Sequence, residues 1–234
     1  MKLFRALGLL TAGLVFSASY ANANTTLAAL VANGGSLTIG DKTFSNFSYT
    51  ESGLTSFDAS QITVSVSAIG NVDYLTWGGN ISVATLGFAT GDLLLNYSVT
   101  ASAGLITSID QNYTGGVGSG IGSVSIVENV RSPAVNNGSS VVATSSLSLH
   151  DTSDPSWELS SDQPYITPGQ AVLHVTNDIG LGAFADANDP VGFVTISEIQ
   201  QSFHQSAVPD GGMTLGLLGL TMLGCQCLRR KLAK

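Results

Sequence analysis

The feature that most constrains this chain is a strict two-residue alternation of apolar and polar side chains. In QITVSVSA, residues 61–68, Ile62, Val64 and Val66 alternate with threonine or serine. Because successive side chains of a β-strand point to opposite faces, this alternation predicts a strand with one buried face. Similar strand-forming patterns occur in five further segments, namely residues 93–99, 124–128, 140–149, 171–176 and 192–203.

Glycine- and asparagine-rich stretches between these segments predict a turn about every ten residues. A further stretch, GGVGSGIG at residues 115–122, predicts a flexible loop or a bulged hairpin, and a helix is expected around residues 25–32. Short strands with closely spaced turns indicate an all-β sandwich or barrel, and we expect an antiparallel β-sandwich of the jelly-roll or Ig-like kind. The predicted turns are Gly40-Asp41, Gly70-Asn71, Gly78-Gly79-Asn80, Gly91-Asp92 and Asn136-Asn137-Gly138.

The first 23 residues have the three parts of a secretory signal peptide. Lys2 and Arg5 precede an apolar run at residues 6–16, and Ala21-Asn22-Ala23 forms an A-x-A cleavage site. We therefore expect an N-terminal signal helix that the Sec machinery exports, with cleavage after Ala23. A buried N-terminal helix is the alternative interpretation.

The predicted globular domain, residues 24–207, is strongly acidic. Lys42 and Arg131 are its only basic residues, whereas 15 of the 16 acidic residues of the chain lie in it. A surface with so few cations cannot neutralise phosphates, which excludes nucleic acids and anionic membrane surfaces as partners. Divalent cations, neutral glycans or solubility remain as explanations of the acidity. Cys225 and Cys227 lie outside the domain, so it contains no disulfide.

No segment carries a catalytic motif, and we predict a protein without enzymatic activity and without a cofactor. The three histidines lack metal-binding spacing, there is no G-x-S-x-G sequence, and no two carboxylates are paired as in a glycosidase. Weak calcium candidates are Asp186, Asn188 and Asp189, and Asp151 and Asp154 form a second acidic group. The same residues before proline also predict ordinary turns, which is the interpretation we favour.

A few other side chains have both a functional and a structural interpretation. Trp77, Tyr113 and Trp157 have the chemistry to stack on sugar rings, but packing in the core is the expected role. His174, within AVLHVT, is expected to be an ordinary sheet residue.

The C-terminal segment, residues 208–234, has three parts. The first part is an extended segment with one proline and two glycines, residues 208–212, which we call the knot. The apolar run from Thr214 to Leu228 then makes a helix of about 22 Å, which is shorter than the roughly 30 Å hydrocarbon core of a membrane. A basic cluster follows, and it stays on the cytoplasmic side by the positive-inside rule. This order predicts a short C-terminal transmembrane helix, with an ordinary uncut anchor as the alternative. The knot is Val208-Pro209-Asp210-Gly211-Gly212 and the basic cluster is Arg229-Arg230-Lys231.

This tail, with GSLTIGDKTFSNFSY at residues 35–49, DLLLNYSVTASAGLI at 92–106 and the stretch 175–203, resembles secreted bacterial proteins of the PEP-CTERM type. The resemblance covers nearly the whole chain and is closest to the variant with a VPDSG or VPDGG motif. The commoner form has Glu-Pro after Val-Pro, where this chain has Asp210-Gly211-Gly212.

The resemblance implies that an exosortase, an integral-membrane cysteine protease or transpeptidase, recognises the tail and removes it near the knot. It further implies transient anchoring at the inner membrane, then transfer to the cell surface or extracellular matrix. We expect the protein to be structural there, or associated with exopolysaccharide or biofilm. A glycan- or calcium-dependent adhesion module is the alternative function, and a secreted hydrolase is the third hypothesis.

Overall fold

A computed structural model describes residues 23–135, 140–150 and 160–206. Within these ranges the chain forms thirteen strands and one short helix, α1, at Leu27–Asn33. The strands are β1 Ala23–Thr26, β2 Leu37–Ile39, β3 Lys42–Ser52, β4 Thr63–Ile69, β5 Val72–Thr85, β6 Phe88–Ala101, β7 Ile106–Ser119, β8 Ile121–Arg131, β9 Val141–His150, β10 Ser161–Asp162, β11 Tyr165–Gln170, β12 Val172–Phe184 and β13 Gly192–Gln205.

The strands form two antiparallel sheets that share one hydrophobic core. Sheet A has the order β1-β4-β5-β13-β7-β10, with β11 also paired to β7, and sheet B has the order β2-β3-β6-β12-β8-β9. Each residue run with predicted alternation lies within one of these strands apart from at most two residues at its start, and its alternating apolar side chains face the other sheet. The predicted all-β, antiparallel sandwich is confirmed.

Three pairs of consecutive strands pass from one sheet to the other at the same end of the sandwich, which we call the crossover end. The pairs are β5–β6, β7–β8 and β12–β13, and their connections touch: Ala185 donates its backbone N–H to the Gly87 carbonyl at 2.7 Å. Gly120 alone joins β7 to β8, with φ at +68°. A Cβ at residue 120 would lie 2.4 Å from the carbonyl oxygen of Phe184, so this corner requires glycine.

Aromatic side chains from both sheets meet in the middle of the core. Phe44 packs edge-on against Phe203 with ring centroids 5.0 Å apart, and Phe47 packs edge-on against Trp77 at 5.8 Å. Tyr97 lies beside Trp77 at 5.9 Å. Fully burying one such side chain contributes roughly 2–3 kcal/mol, so this cluster is a main source of stability in a domain without disulfides.

The helix predicted around residues 25–32 is confirmed, with its start two residues later than expected, whereas the signal helix predicted before Ala23 lies outside the described residues. Thr25 belongs to β1, where it pairs with Val64 of β4. Thr26 is the N-cap, and its Oγ1 accepts a hydrogen bond from the Ala29 N–H at 3.3 Å. Gly34 ends the helix in the left-handed conformation, which glycine adopts without strain.

The turns predicted at Gly40-Asp41 and Gly70-Asn71 are confirmed, and two others are wrong. The stretch Gly78-Gly79-Asn80 lies inside β5, at a register shift where β5 has one more residue than its partner β13. Gly91-Asp92 lies inside β6, where a Cβ at residue 91 would approach a side-chain carbon of Leu54 to 2.5 Å. Glycine serves bulges and close packing as well as turns, which explains both errors. The turn at residues 136–138 lies outside the described residues.

The loop or hairpin predicted at residues 115–122 is also wrong. Residues 115–119 continue β7 and residues 121–122 begin β8, so the segment is almost entirely strand. It is not a hairpin because β7 pairs with β13 in sheet A, whereas β8 belongs to sheet B. Gly115 lies close to the β13 backbone, where a Cβ would be 2.4 Å from the Thr195 carbonyl oxygen. The glycines here permit close strand contact and a sharp corner.

Candidate functional site

The weak calcium candidates lie in the connection between β12 and β13, where they close a turn. Asp186 Oδ1 accepts hydrogen bonds from the backbone N–H groups of Asn188 and Asp189, both at 2.7 Å. The Asp186 N–H in turn donates to the Asp189 carbonyl at 2.9 Å. One carboxylate oxygen is therefore engaged by the backbone, as in an Asx-turn. Within residues 23–135, 140–150 and 160–206, no group of three or more His, Cys, Asp or Glu side chains is arranged to hold a metal ion.

Trp77 is buried in the core, as expected, and is not available to stack on a sugar. Tyr113 is half-buried on β7. His174 is confirmed as a sheet residue: it lies on β12, and its Nδ1 is 2.8 Å from the Ser98 Oγ. Ala23 is the first residue of β1. The other candidates, namely Ala21, Trp157, Asp151, Asp154, the knot at 208–212 and the basic cluster at 229–231, lie outside the described residues.

The outer face of sheet B carries a groove of about 360 Å³ that crosses β3, β6, β12 and β8. Gly180 and Gly182 of β12 form its floor because they have no side chain to fill the space. In the ladder, Gly180 lies between Asp92 of β6 and Ser125 of β8, and Gly182 lies in the next row toward the crossover end. Small and polar side chains line the groove, so sheet backbone and carboxylate oxygens are within reach of a ligand.

An exposed apolar wall bounds the groove toward the crossover end. Phe88, Phe184 and Ile121 are ladder neighbours on β6, β12 and β8, and they are 70%, 45% and 40% exposed. A second hollow, of about 230 Å³, lies between this wall and His150 and shares Gly182 with the groove. Exposed aromatic side chains beside a polar cleft are typical of a binding surface.

Two carboxyl groups lie on the side away from the wall: Asp92 lines the groove, and Asp178 is next to Asp92. Asp178 lies opposite Leu94 in the ladder, which places it diagonally from Asp92. Burial and, next, the charge of Asp178 raise the pKa of Asp92 above its ordinary value, and the two carboxyl groups are within hydrogen-bonding reach. Such a pair can accept hydrogen bonds from several hydroxyl groups, or it can bind a cation between the two carboxyl groups.

A separate group of polar side chains lies inside the sandwich. Gln201 of β13 accepts hydrogen bonds from Trp77 Nε1 at 3.4 Å and from the Tyr97 hydroxyl at 2.9 Å, and its amide nitrogen donates to Glu128 Oε2. Burial raises the pKa of Glu128 to about 8, with a smaller contribution from the charge of Asp162 and opposed by the Gln201 hydrogen bond. Glu128 therefore takes up a proton far more readily than an exposed carboxylate does.

A buried ion pair lies at the end opposite the crossover end. The Lys42 ammonium, fully buried, is 2.7 Å from Asp73 Oδ2 and 3.0 Å from Asp41 Oδ1. Gln205, the last residue of β13, donates to Asp41 Oδ2 at 2.7 Å and to the Ala103 carbonyl at 2.8 Å. Burial raises the pKa of Asp41, but the hydrogen bonds from Gln205 and Lys42 outweigh it, so the net pKa is below the ordinary value. This cluster fastens the end of β13 to the β2–β3 turn.

Sequence reasoning missed the groove, although one signal for it was present. In VLHVTNDIGLGAF, residues 172–184, the alternation places Phe184 in phase with His174 and Asp178, on the polar side of the strand. A large aromatic residue at a solvent-facing strand position is the signal that could have been noticed. The partners of Phe184 on β6 and β8 follow only from the ladder register.

No family model matches this chain, and no curated protein matches it. It is similar in part to three solved structures at 9–15% sequence identity. TmCBM61, solved with β-1,4-galactotriose, overlays with a TM-score of 0.29 and 10% identity, over 68% of this chain and 88% of that chain.

The enzymatically active domain of bacteriophage CBA120 tailspike protein 4 overlays with a TM-score of 0.27 and 9% identity, over 66% of this chain and 19% of that chain. A glycoside hydrolase family 43 arabinoxylan arabinofuranohydrolase from Bacillus subtilis, in complex with cellotetraose, overlays with a TM-score of 0.21 and 15% identity. This overlay covers 70% of this chain and 25% of that chain. This chain therefore spans about a fifth to a quarter of the latter two. With such TM-scores, the overlays define neither a family nor a function.

None of the helices in the described part of the chain has the length and apolar character needed to cross a membrane.

Proposed function

We propose that this chain is a glycan-binding protein that holds a neutral polysaccharide in the groove on the outer face of sheet B. The observation that carries the proposal is the apolar wall of Phe88, Phe184 and Ile121 directly beside a glycine-floored cleft that Asp92 lines. We assign the sandwich, in its finer form, to the jelly-roll kind, and the three strand pairs that cross between the sheets at one end support this assignment. The proposal includes no catalytic step.

The chemistry of the groove matches that of a sugar. A pyranose ring has apolar C–H faces that pack on aromatic rings, and a rim of hydroxyl groups that need hydrogen-bond acceptors. The wall supplies Phe88 and Phe184, and the opposite side supplies Asp92 and Asp178. Gly180 and Gly182 allow the ring to approach the sheet closely.

Charge narrows the ligand class. Asp92 and Asp178 repel uronic acids, sulfated sugars and other anionic glycans, whereas neutral chains meet only acceptors. The groove also reaches β3 and β8, with Ser52 and Ser125 at its two sides. At about 4.8 Å between strands, crossing from β3 to β8 is roughly 14 Å, long enough for several sugar rings in a row.

The first experiment measures retention of the purified protein on immobilised neutral and anionic polysaccharides, with and without EDTA. We expect retention on at least one neutral polysaccharide, and at least tenfold weaker binding, about 1.4 kcal/mol, for the double variant Phe88→Ala/Phe184→Ala. Tyr165→Ala is the matched control because Tyr165 is an aromatic side chain 73% exposed on β11, away from the groove. Absence of retention on every neutral polysaccharide, or equal loss in the Tyr165 variant, contradicts the proposal.

We also propose that the chain is exported and that an exosortase processes its tail at Val208–Gly212. The three-part tail and its resemblance to PEP-CTERM proteins support this hypothesis. The direction of β13 is compatible with it: Gly192 is at the crossover end and Gln205 is about 40 Å away along the strand, so a membrane-held tail leaves the groove clear. Intact-mass measurement on protein from the native host tests it. A mature chain that starts at Asn24 and ends between Val208 and Gly212 is expected, and a C-terminus at Lys234 overturns it.

A further inference from the structure

Four polar side chains lie near one edge of the sandwich, where β10 of sheet A contacts β9 of sheet B. They are Gln111, Glu128, Ser145 and Asp162. In sheet A, Asp162 lies opposite Gln111 in the ladder, and in sheet B, Glu128 lies opposite Ser145. The backbone N–H of Ser146 donates to Asp162 Oδ2 at 3.2 Å, which joins the two sheets at this edge. The four side chains thus come from four consecutive strands, β7 to β10, two in each sheet.

These side chains have hydrogen-bonding capacity that the described residues do not use. Gln111 and Glu128 are fully buried and Ser145 is 1% exposed. Both amide atoms of Gln111, Oε1 of Glu128 and Oγ of Ser145 have no hydrogen-bond partner among the described residues, and neither has the amide of Asn177, which pairs with Glu128 in the ladder. An unsatisfied buried polar atom costs about 1–3 kcal/mol, so a group of them points to a ligand that supplies partners.

The charge at this edge is negative. Asp162 acts on Glu128 across the gap between the sheets, as the rise it causes in the pKa of Glu128 shows, after the larger effect of burial. Lys42 is paired with Asp41 and Asp73. Arg131 lies three residues beyond Glu128, at a half-exposed position of β8 that alternates with its buried positions.

We propose that this edge is a binding site for a hard divalent cation, Ca²⁺, held by the carboxylates of Glu128 and Asp162 with Gln111 Oε1 and Ser145 Oγ as neutral ligands. Ca²⁺ takes about six to eight oxygen ligands from carboxylates, amide carbonyls, hydroxyls and water, and it tolerates irregular geometry. The cation balances two carboxylates that otherwise repel each other.

The site is independent of the groove, because Glu128 and its partners lie inside the sandwich whereas Asp92 and Asp178 lie outside it. It also differs from the turn at Asp186, which engages its own backbone. A cation between β9 and β10 joins sheet A to sheet B, so we expect it to raise the stability of the folded state through its binding free energy.

The test is a titration of the EDTA-treated full chain with CaCl2, followed by thermal unfolding and by calorimetry. We expect one bound Ca²⁺ per chain, a melting temperature that rises with Ca²⁺ concentration, and at least tenfold weaker binding in Glu128→Gln and in Asp162→Asn. Glu128→Gln keeps the shape of the side chain, so its metal-free form is expected to unfold at or above the temperature of the metal-free parent.

Asp178→Asn is the matched control, since it removes one carboxylate of the groove pair and none from the interior. It is expected to keep the full Ca²⁺ response, and MgCl2 at equal concentration is expected to produce a smaller one. Three results overturn the proposal: no Ca²⁺ response in the parent chain, an unchanged response in Glu128→Gln, or loss of the response in Asp178→Asn, which assigns the cation to the groove. Glycan retention that persists in Glu128→Gln leaves the proposed function standing whatever the outcome here.

Discussion

The two faces of sheet B carry the same kinds of polar side chain and use them in opposite ways. On the outer face, Asp92 and Asp178 stand in water beside a groove, and their hydrogen-bonding groups are open to a ligand. On the inner face, Glu128 of β8 and Asn177 of β12 are fully buried, one ladder position from Asp178 and three from Asp92. Polarity alone therefore does not mark a binding surface in this fold: we expect a lost partner to cost stability on the inner face and affinity on the outer face.

The largest effect on the free energy of unfolding is expected from breaking the buried ion pair between Lys42 and Asp73. Lys42→Met leaves the Asp73 carboxylate buried without its cation, and such a change typically costs about 3–5 kcal/mol. Urea unfolding measures the loss. The double variant Lys42→Met/Asp73→Leu is expected to recover much of it, because it removes both buried charges. A single variant as stable as the parent chain contradicts a structural role for this pair.

A somewhat smaller loss is expected from Gln201→Leu. The change leaves Trp77 Nε1, the Tyr97 hydroxyl and Glu128 Oε2 without their shared partner. We expect a loss of about 2–4 kcal/mol in the free energy of unfolding, with glycan affinity of the folded protein unchanged. Gln200→Leu is the control: Gln200 is the preceding residue, half-buried, with a single long hydrogen bond to Thr76 at 3.4 Å. Equal destabilisation by both changes is the result that contradicts this expectation.

The strands and the sandwich could be predicted from the sequence, because alternation is a local property that Val64 and Val66 display within one segment. The groove could not, since Asp92 and Gly180 become neighbours only through a ladder that joins residues 88 positions apart. The alternation of Val124, Ile126 and Glu128 indicates the buried side of β8, but the partner of Glu128, Gln201, lies 73 residues away and could not be predicted. The turn and loop predictions at residues 78–80, 91–92 and 115–122 were wrong because glycine permits bulges and corners as well as turns.

On the outer face, filling the groove is expected to remove binding with little cost in stability. Gly180→Leu adds a side chain above the floor, where the nearest atoms, in Ser125, are 4.0 Å from the new Cβ. We expect glycan affinity to fall at least tenfold, about 1.4 kcal/mol, while the free energy of unfolding changes by less than about 1 kcal/mol. Affinity electrophoresis and urea unfolding measure the two quantities.

The matched control for this change is Gly116→Leu on sheet A. Gly116 also lies within a strand, β7, where a Cβ would meet no atom within 4 Å, and it is outside the groove. It is expected to bind glycan like the parent chain. If both variants lose binding equally, or if Gly180→Leu binds normally, the ligand does not occupy the groove.

The smallest effect concerns the pH dependence of the carboxyl pair on the outer face. Burial and then Asp178 raise the pKa of Asp92 in the folded chain, so the proton binds the folded state more tightly than the unfolded state. The stabilising contribution is therefore complete below the unfolded pKa of about 3.9 and is lost as the pH rises through the folded pKa. Asp92→Asn is expected to gain stability relative to the parent chain between about pH 3 and pH 7, by no more than about 0.5 kcal/mol because the pair is solvent-screened. Urea unfolding at both pH values measures this difference, and added salt is expected to shrink it. A variant that loses stability relative to the parent chain over this range shows that the two carboxyl groups do not repel each other, and that a hydroxyl or a cation already lies between them.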